Sequence, residues 1–89
     1  IDLSARTVSL AGQPVELTRI EFDLLAALAR RPGAALSRRW LVDHLMDPDR
    51  DGAERTLDVH VSRLRKKLGD PRLVATVWGI GYRLDPVPP

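Results

Sequence analysis

Apolar residues recur along this chain with two spacings, and the switches between them mark its elements. In the stretch "ARTVSLAGQPVELT", Val8 and Leu10, then Val15 and Leu17, alternate with polar neighbours. A period of two puts them on one face of two short strands. The "AGQP" between them is turn chemistry, so a β-hairpin is expected, with Ile1 to Leu3 a candidate remnant of an earlier strand.

From Thr18 the spacing changes to three and four. Ile20, Leu24, Ala27 and Leu28 share a helical face within "RIEFDLLAALAR", and Phe22 and Leu25 flank it. Thr18 can cap this helix, and Glu21, three residues on, can complete a capping box. Pro32 and Gly33 end it. Ser37 is a second N-cap candidate before the short helix "RRWLVDHL", with Leu41 and Leu45 expected to point inward. The loop "MDPDRDGAE" follows. A third helix is expected from about Arg55 to Leu68, closed by Gly69. The extended run "LVATV", the turn "WGIG" and the strand "YRL" make a terminal hairpin. The order is strands, three helices, then a hairpin: an α+β arrangement around one core.

The third helix, "RTLDVHVSRLRKKLGD", poses the functional question. With about 100° per residue, Leu57, Val61, Leu64 and Leu68 fall within about 60° of one another and form the core stripe. Arg55, Val59, Ser62, Arg63 and Lys66 stand opposite. A water-facing helix has no use for Val59 there, and valine is a mediocre helix former. A major groove does have a use: thymine presents a methyl group that small apolar side chains read by contact, and arginine bonds guanine or phosphate. The alternative is a partly covered valine packing on a neighbouring loop.

Charge changes the picture only when divided along the chain. The 89 residues carry a formal net charge of +2, but residues 1–54 sum to −2 and residues 55–83 to +5. The concentrated positive field attracts polyanions; a solvated helix face is the alternative. Thr76, Trp78, Tyr82 and Arg83 gather in the terminal hairpin, where Gly79 and Gly81 allow close approach to a backbone. Threonine and tyrosine hydroxyls bond phosphates. Trp78 and Tyr82 also read as core aromatics in a protein with few others.

Other function classes recede. Length allows one domain. With no cysteine there is no disulfide framework or thiolate metal site. No apolar run approaches the ~20 residues of a membrane span, and the start lacks signal-peptide character. It begins without Met and enters a strand pattern at once, which suggests the interior of a longer chain. Asp58, His60 and Ser62 resemble a relay only in text, because residues two apart on a helix point about 200° apart. His44 and His60 have no convincing second ligand; Asp47, three after His44, falls past the helix end. His60 is expected at the core edge, bonded to backbone, and Asp58 in a local ion pair, with Arg55 or through a neighbour. No enzyme, metal or cofactor is expected. A protein-binding module would want an uncharged third-helix face. RNA binding would want more exposed aromatics than Trp78.

Together, "LTRIEFDLLAALARRPGAALSR", "RTLDVHVSRLRKKL" and "TVWGIGYRL" resemble the C-terminal DNA-binding domain of OmpR/PhoB-type response regulators over nearly the whole chain. The resemblance implies a winged helix-turn-helix across residues 1–89: an N-terminal antiparallel sheet of up to four strands, three helices and a hairpin wing over about 73–84. It implies cytoplasmic, sequence-specific binding of double-stranded DNA for transcription regulation, with helix 55–68 in the major groove and the wing on the backbone or minor groove. It also implies a receiver domain upstream, phosphorylated by a sensor histidine kinase, and head-to-tail pairs on direct repeats. Residue by residue, Arg55 matches a phosphate contact, Val59 a thymine-methyl contact, Arg63 and Arg65 base and phosphate contacts, and Thr76 and Tyr82 wing phosphate contacts. By its helical angle Arg65 lies on the flank, which favours phosphate. The loop holding Met46, Asp47, Asp49, Arg50, Asp51 and Glu54 matches the segment that touches RNA polymerase. The chain departs from the family with Trp78 where Arg is frequent, Met46-Asp47 where Trp-Gly is frequent, Ser62 where Arg or another polar group is frequent, and Trp40 where Glu or Gln completes a capping box.

Overall fold

The computed structural model describes residues 7–10, 12–47 and 52–85. The expected first strand at Ile1–Leu3 and the loop residues Asp49, Arg50 and Asp51 lie outside them. Strands β1 (Val8–Leu10) and β2 (Gln13–Val15) pair antiparallel, with Val8 opposite Val15. Helices α1 (Arg19–Ala29), α2 (Arg38–Leu45) and α3 (Ala53–Leu68) follow. The chain ends in the hairpin β4 (Val74–Val77) and β5 (Gly81–Leu84).

Each helix begins and stops for a local reason. The Thr18 hydroxyl accepts from the Glu21 N–H, and the Glu21 carboxylate accepts from the Thr18 N–H, a complete capping box. Ser37 caps α2 through the Trp40 N–H, but Trp40 cannot reach back, so that box stays half made. Gly69 closes α3, its N–H shared between the Arg65 and Lys66 carbonyls. Leu24, Leu25, Leu28, Leu41, Leu57 and Leu64 are fully buried where the three helices meet. Each such side chain contributes about 1.5–3 kcal/mol on leaving water.

The structure corrects three expectations. A two-residue strand, β3 (Leu36–Ser37), stands where a loop was expected, and it pairs with β5 in a three-stranded sheet of order β3-β5-β4. That pairing is non-local and leaves no periodic trace in two residues. In α2 the second buried residue is Val42, and Leu45 is only half-buried, because this short helix packs against both α1 and α3. Helix α3 starts two residues early, at Ala53, whose methyl is buried in the core. Among the described residues the N-terminal sheet is the expected two-stranded hairpin.

Sheet order matters for function because β3 leads directly into α2. At Gly81 a Cβ atom would lie 2.0 Å from the Leu36 carbonyl oxygen, so only glycine lets β5 close onto β3. The Arg38 N–H also donates to the Ile80 carbonyl at 3.1 Å. The terminal hairpin is therefore tied to the start of the helical pair.

Candidate nucleic-acid interface

One face of α3 is presented to solvent whole. Leu57, Val61, Leu64 and Leu68 are buried, while Arg55, Val59, Ser62, Arg63 and Lys66 are all exposed. Val59 keeps 42% of its surface open. Arg55, Arg63 and Lys66 have no ion-pair or hydrogen-bond partner among the described residues. Three cations, an aliphatic group and a hydroxyl thus lie free on one surface.

The remaining cations of this region are occupied. Lys67 Nζ lies 2.6 Å from the buried Glu21 carboxylate and pins the end of α3 to the start of α1. Burial pulls the Glu21 pKa upward, but the Lys67 hydrogen bond, the Thr18 N–H and the Lys67 charge outweigh it, so the carboxyl titrates below its ordinary 4.5. Arg72 pairs with Asp70 and Arg83 with Asp85.

Arg65 is turned toward the hairpin. Its Nε donates to the Val74 carbonyl and a terminal nitrogen donates to Thr76 Oγ1, both at 2.8 Å, while the guanidinium lies 5.6 Å from the Tyr82 ring centre. It braces the hairpin against α3, away from the exposed face. Thr76 accepts that bond and keeps its own hydroxyl proton to donate.

Tyr82 is buried, and its hydroxyl donates to Asp58 Oδ1 at 2.6 Å. The same oxygen accepts from Arg38 at 2.7 Å. Burial, then the Asp58 hydrogen bond and charge, push the Tyr82 pKa up to about 12 against the weaker pull of Arg38 and Arg65. The expected Asp58 pair with Arg55 does not form; Arg38 and Tyr82 take its place, because Asp58 sits on the side of α3 facing α2 and the hairpin. The Tyr82 hydroxyl proton, implied for phosphate, is committed to Asp58. This Arg38–Asp58–Tyr82 junction joins α2, α3 and β5, and nothing in their sequence spacing signals it.

Trp78 is 90% exposed at the hairpin tip, which excludes a core role. His60 also differs from expectation: its Nδ1 is buried without a hydrogen-bond partner among the described residues. His44 Nδ1 contacts the Trp40 carbonyl oxygen at 2.8 Å, with its ring stacked on Trp40. Of the acidic loop, Met46 is half-buried, and Asp47 and Glu54 are exposed. Among the described residues, no group of His, Cys, Asp and Glu could hold a metal, and no helix is long and apolar enough to cross a membrane.

Comparison with known proteins agrees with this geometry. A family model described as "Transcriptional regulatory protein, C terminal" matches residues 12–84. The chain is 48% identical over 90 residues to the transcriptional regulatory protein AfsQ1 of Streptomyces coelicolor, covering 97% of this chain and 40% of that protein. It therefore spans about two fifths of that relative's length. Among solved structures it is similar to the DNA-binding domain of response regulator AdeR in complex with an intercistronic region, at TM-score 0.82 and 35% identity over 96% of this chain and 90% of that one. It is also similar to the Klebsiella pneumoniae RstA DNA-binding domain in complex with the RstA box, at TM-score 0.81 and 38% identity over 96% and 88%. The hairpin β4–β5 takes the place of the wing.

Proposed function

The chain belongs to the family of transcriptional regulatory protein C-terminal domains, and from that membership we propose how it acts. It is a winged-helix domain that binds double-stranded DNA for transcription regulation, as the output module of a two-component response regulator. One observation supports this choice of contacts: Arg55, Val59, Ser62, Arg63 and Lys66 are exposed together on α3, and the three cations among them have no partner among the described residues.

With α3 in a major groove, Val59 meets a thymine methyl and Arg63 bonds a guanine edge. Ser62 donates or accepts beside them. Arg55 and Lys66 hold phosphates and set register, and the Thr76 hydroxyl donates to a phosphate from the wing. Arg65 and Tyr82 act differently from what the family resemblance implies. They hold the wing at a fixed angle to α3, so that helix and wing meet the duplex as one rigid surface.

The wider roles belong to the longer protein. A receiver domain upstream, phosphorylated by a sensor histidine kinase in the cytoplasm, brings two copies head-to-tail onto direct repeats. The second copy then binds at a high effective concentration. The segment from Met46 to the first turn of α3, with Asp47 and Glu54 exposed, is the candidate contact for RNA polymerase.

The test is a titration of the domain on a random-sequence duplex pool at two salt concentrations, with the bound fraction sequenced. Enrichment of a short motif, weakened by salt, is expected. Salt-sensitive binding without enrichment would remove sequence reading by α3. No binding at low salt would remove the DNA reading and favour a protein partner.

A further inference from the structure

Thr56 stands exposed on α3, one turn before Val59. At about 100° per residue it lies about 20° round the helix from Arg63. Thr56, Val59 and Arg63 therefore form one ridge at the spacing i, i+3, i+7. The hydroxyl on that ridge already has its proton in use. Thr56 Oγ1 donates to the Gly52 carbonyl at 3.1 Å, and the Thr56 N–H donates to the same oxygen at 2.9 Å. Gly52 enters the helix with a positive φ of +76° and has no side chain to cap it. The doubled bond ties the first turn together and fixes the Thr56 side chain with it.

Oγ1 consequently presents lone pairs to an approaching ligand. A phosphate oxygen has no proton to share with them. In a major groove the donors are the exocyclic amino groups, N4 of cytosine and N6 of adenine. Guanine O6 and thymine O4 are acceptors and repel a further acceptor. Every base pair shows one such amino group, carried by one strand. An acceptor held at a fixed place therefore tells the strands apart, favouring A or C over G or T. Ser62 is different. Its hydroxyl has no partner among the described residues and can turn to either role.

We infer that Thr56 is a specificity residue of α3, accepting a hydrogen bond from a base amino group and so admitting A or C at one position of the site. This rests on the DNA-binding reading above. The ridge also orders the contacts. Three helical residues rise about 4.5 Å and one base pair about 3.4 Å. The Thr56 base thus lies about one pair from the Val59 thymine, on the side away from the Arg63 guanine.

The experiment sequences the bound fraction of a random duplex pool for the parent, Thr56→Val, Thr56→Ser and Ser62→Ala. In the parent motif, one column beside a thymine favours A and C over G and T by about fivefold. Thr56→Val keeps the shape without the oxygen, and that column becomes even while its neighbours and the salt slope hold. Thr56→Ser keeps the preference, because serine makes the same bond to the carbonyl four residues back. Ser62→Ala leaves the column in place. A second measurement does not depend on how valine packs. Exchanging the column's adenine for purine, which lacks the amino group, weakens the parent about fivefold and Thr56→Val not at all. A parent motif without such a column, or a column that survives Thr56→Val, overturns the assignment. A preference for G or T that Thr56→Val abolishes overturns it too, since the hydroxyl would then have left Gly52 to donate. Equal weakening of all sequences by Thr56→Val overturns it in favour of a phosphate contact. Salt-sensitive binding by the parent with no motif at all removes sequence reading by α3, and Thr56 with it.

Discussion

Tyr82 is the chain's only tyrosine, so its ionisation can be followed by ultraviolet absorbance without assignment. Buried at 6% exposure and bonded to Asp58, it is pushed from the ordinary 10.0 up to about 12. Two pKa units correspond to about 3 kcal/mol favouring the neutral phenol in the folded state. The folded value lies above the unfolded one. That stability is therefore fully present below pH 10 and is lost as pH rises through 12. The assay is an alkaline titration with far-ultraviolet circular dichroism recorded at every point. No phenolate is expected between about pH 10 and 11 while the helical signal is native; it appears near 12 or together with unfolding. Asp58→Asn removes the acceptor's charge but not the burial, so its midpoint falls part-way toward 10. Half-ionisation of the parent near 10 with its helices intact would refute the reasoning. The hydroxyl would then face water, free for phosphate, and the wing would lose its tie to α3.

Lys67→Met strands the buried Glu21 carboxylate without its cation and costs about 2 kcal/mol at neutral pH, discounted because Lys67 is partly exposed. In the parent, the depressed Glu21 pKa supplies stability above its ordinary 4.5 that is lost as pH falls through the folded value. In the variant the Lys67 hydrogen bond and charge are gone and burial is opposed by the Thr18 contacts alone, so that pKa rises and the calorimetric deficit shrinks on acidification; a deficit independent of pH would sink this account. Gly81→Ala drives a methyl into the Leu36 carbonyl and should lower stability in urea by about 3 kcal/mol; a variant as stable as the parent would show that β3 and β5 are not pressed together. Arg55→Ala should weaken binding to all sequences alike and lower the salt slope by about 1, while Val59→Ala should relax one thymine preference at constant slope. Titration against base-substituted duplexes separates the two, and the reverse pattern would exchange their roles.

The helices were legible in the sequence because their information is local. A capping box needs four consecutive residues, and a buried stripe repeats every three or four, so Thr18–Glu21 and Leu57–Leu68 declare themselves. The open face of α3 is legible for the same reason, being whatever the stripe leaves over. The ties between elements are not. Asp58 meets Arg38 and Tyr82 across twenty and twenty-four residues, and Lys67 meets Glu21 across forty-six. Each is a single long-range contact with no period to announce it, and a charged residue in text has many candidate partners. Sequence reading therefore paired Asp58 with its near neighbour Arg55, and only packing could correct it. Trp78 shows the converse. Its chemistry suggested a core residue as readily as a surface one, and only the shortness of the β4–β5 turn decides that it stands outside.

The division of charge gives the interface its most quantitative test. Residues 55–83 hold seven cations. Were all seven to meet phosphates, a slope of about −0.9 for each would put log K against log salt near −6. The structure neutralises or diverts four. Lys67 serves Glu21, and Arg65 serves the Val74 carbonyl and Thr76. Arg72 and Arg83 each lie against a carboxylate. Those last two pairs are exposed and weak, but the carboxylate stays beside the cation, and phosphate meets a locally neutral pair. Arg55 and Lys66 are left for phosphates, with Arg63 on a base edge, so one domain on one half-site should give a slope of about −2. Fluorescence anisotropy on a short duplex across a salt series measures it. Lys66→Gln should flatten the slope by about 1, and Arg72→Gln should leave it alone. A parent slope near −6, or flattening by Arg72→Gln, would mean that the ion pairs open on DNA. The free face of α3 would then not be the whole of what the duplex meets.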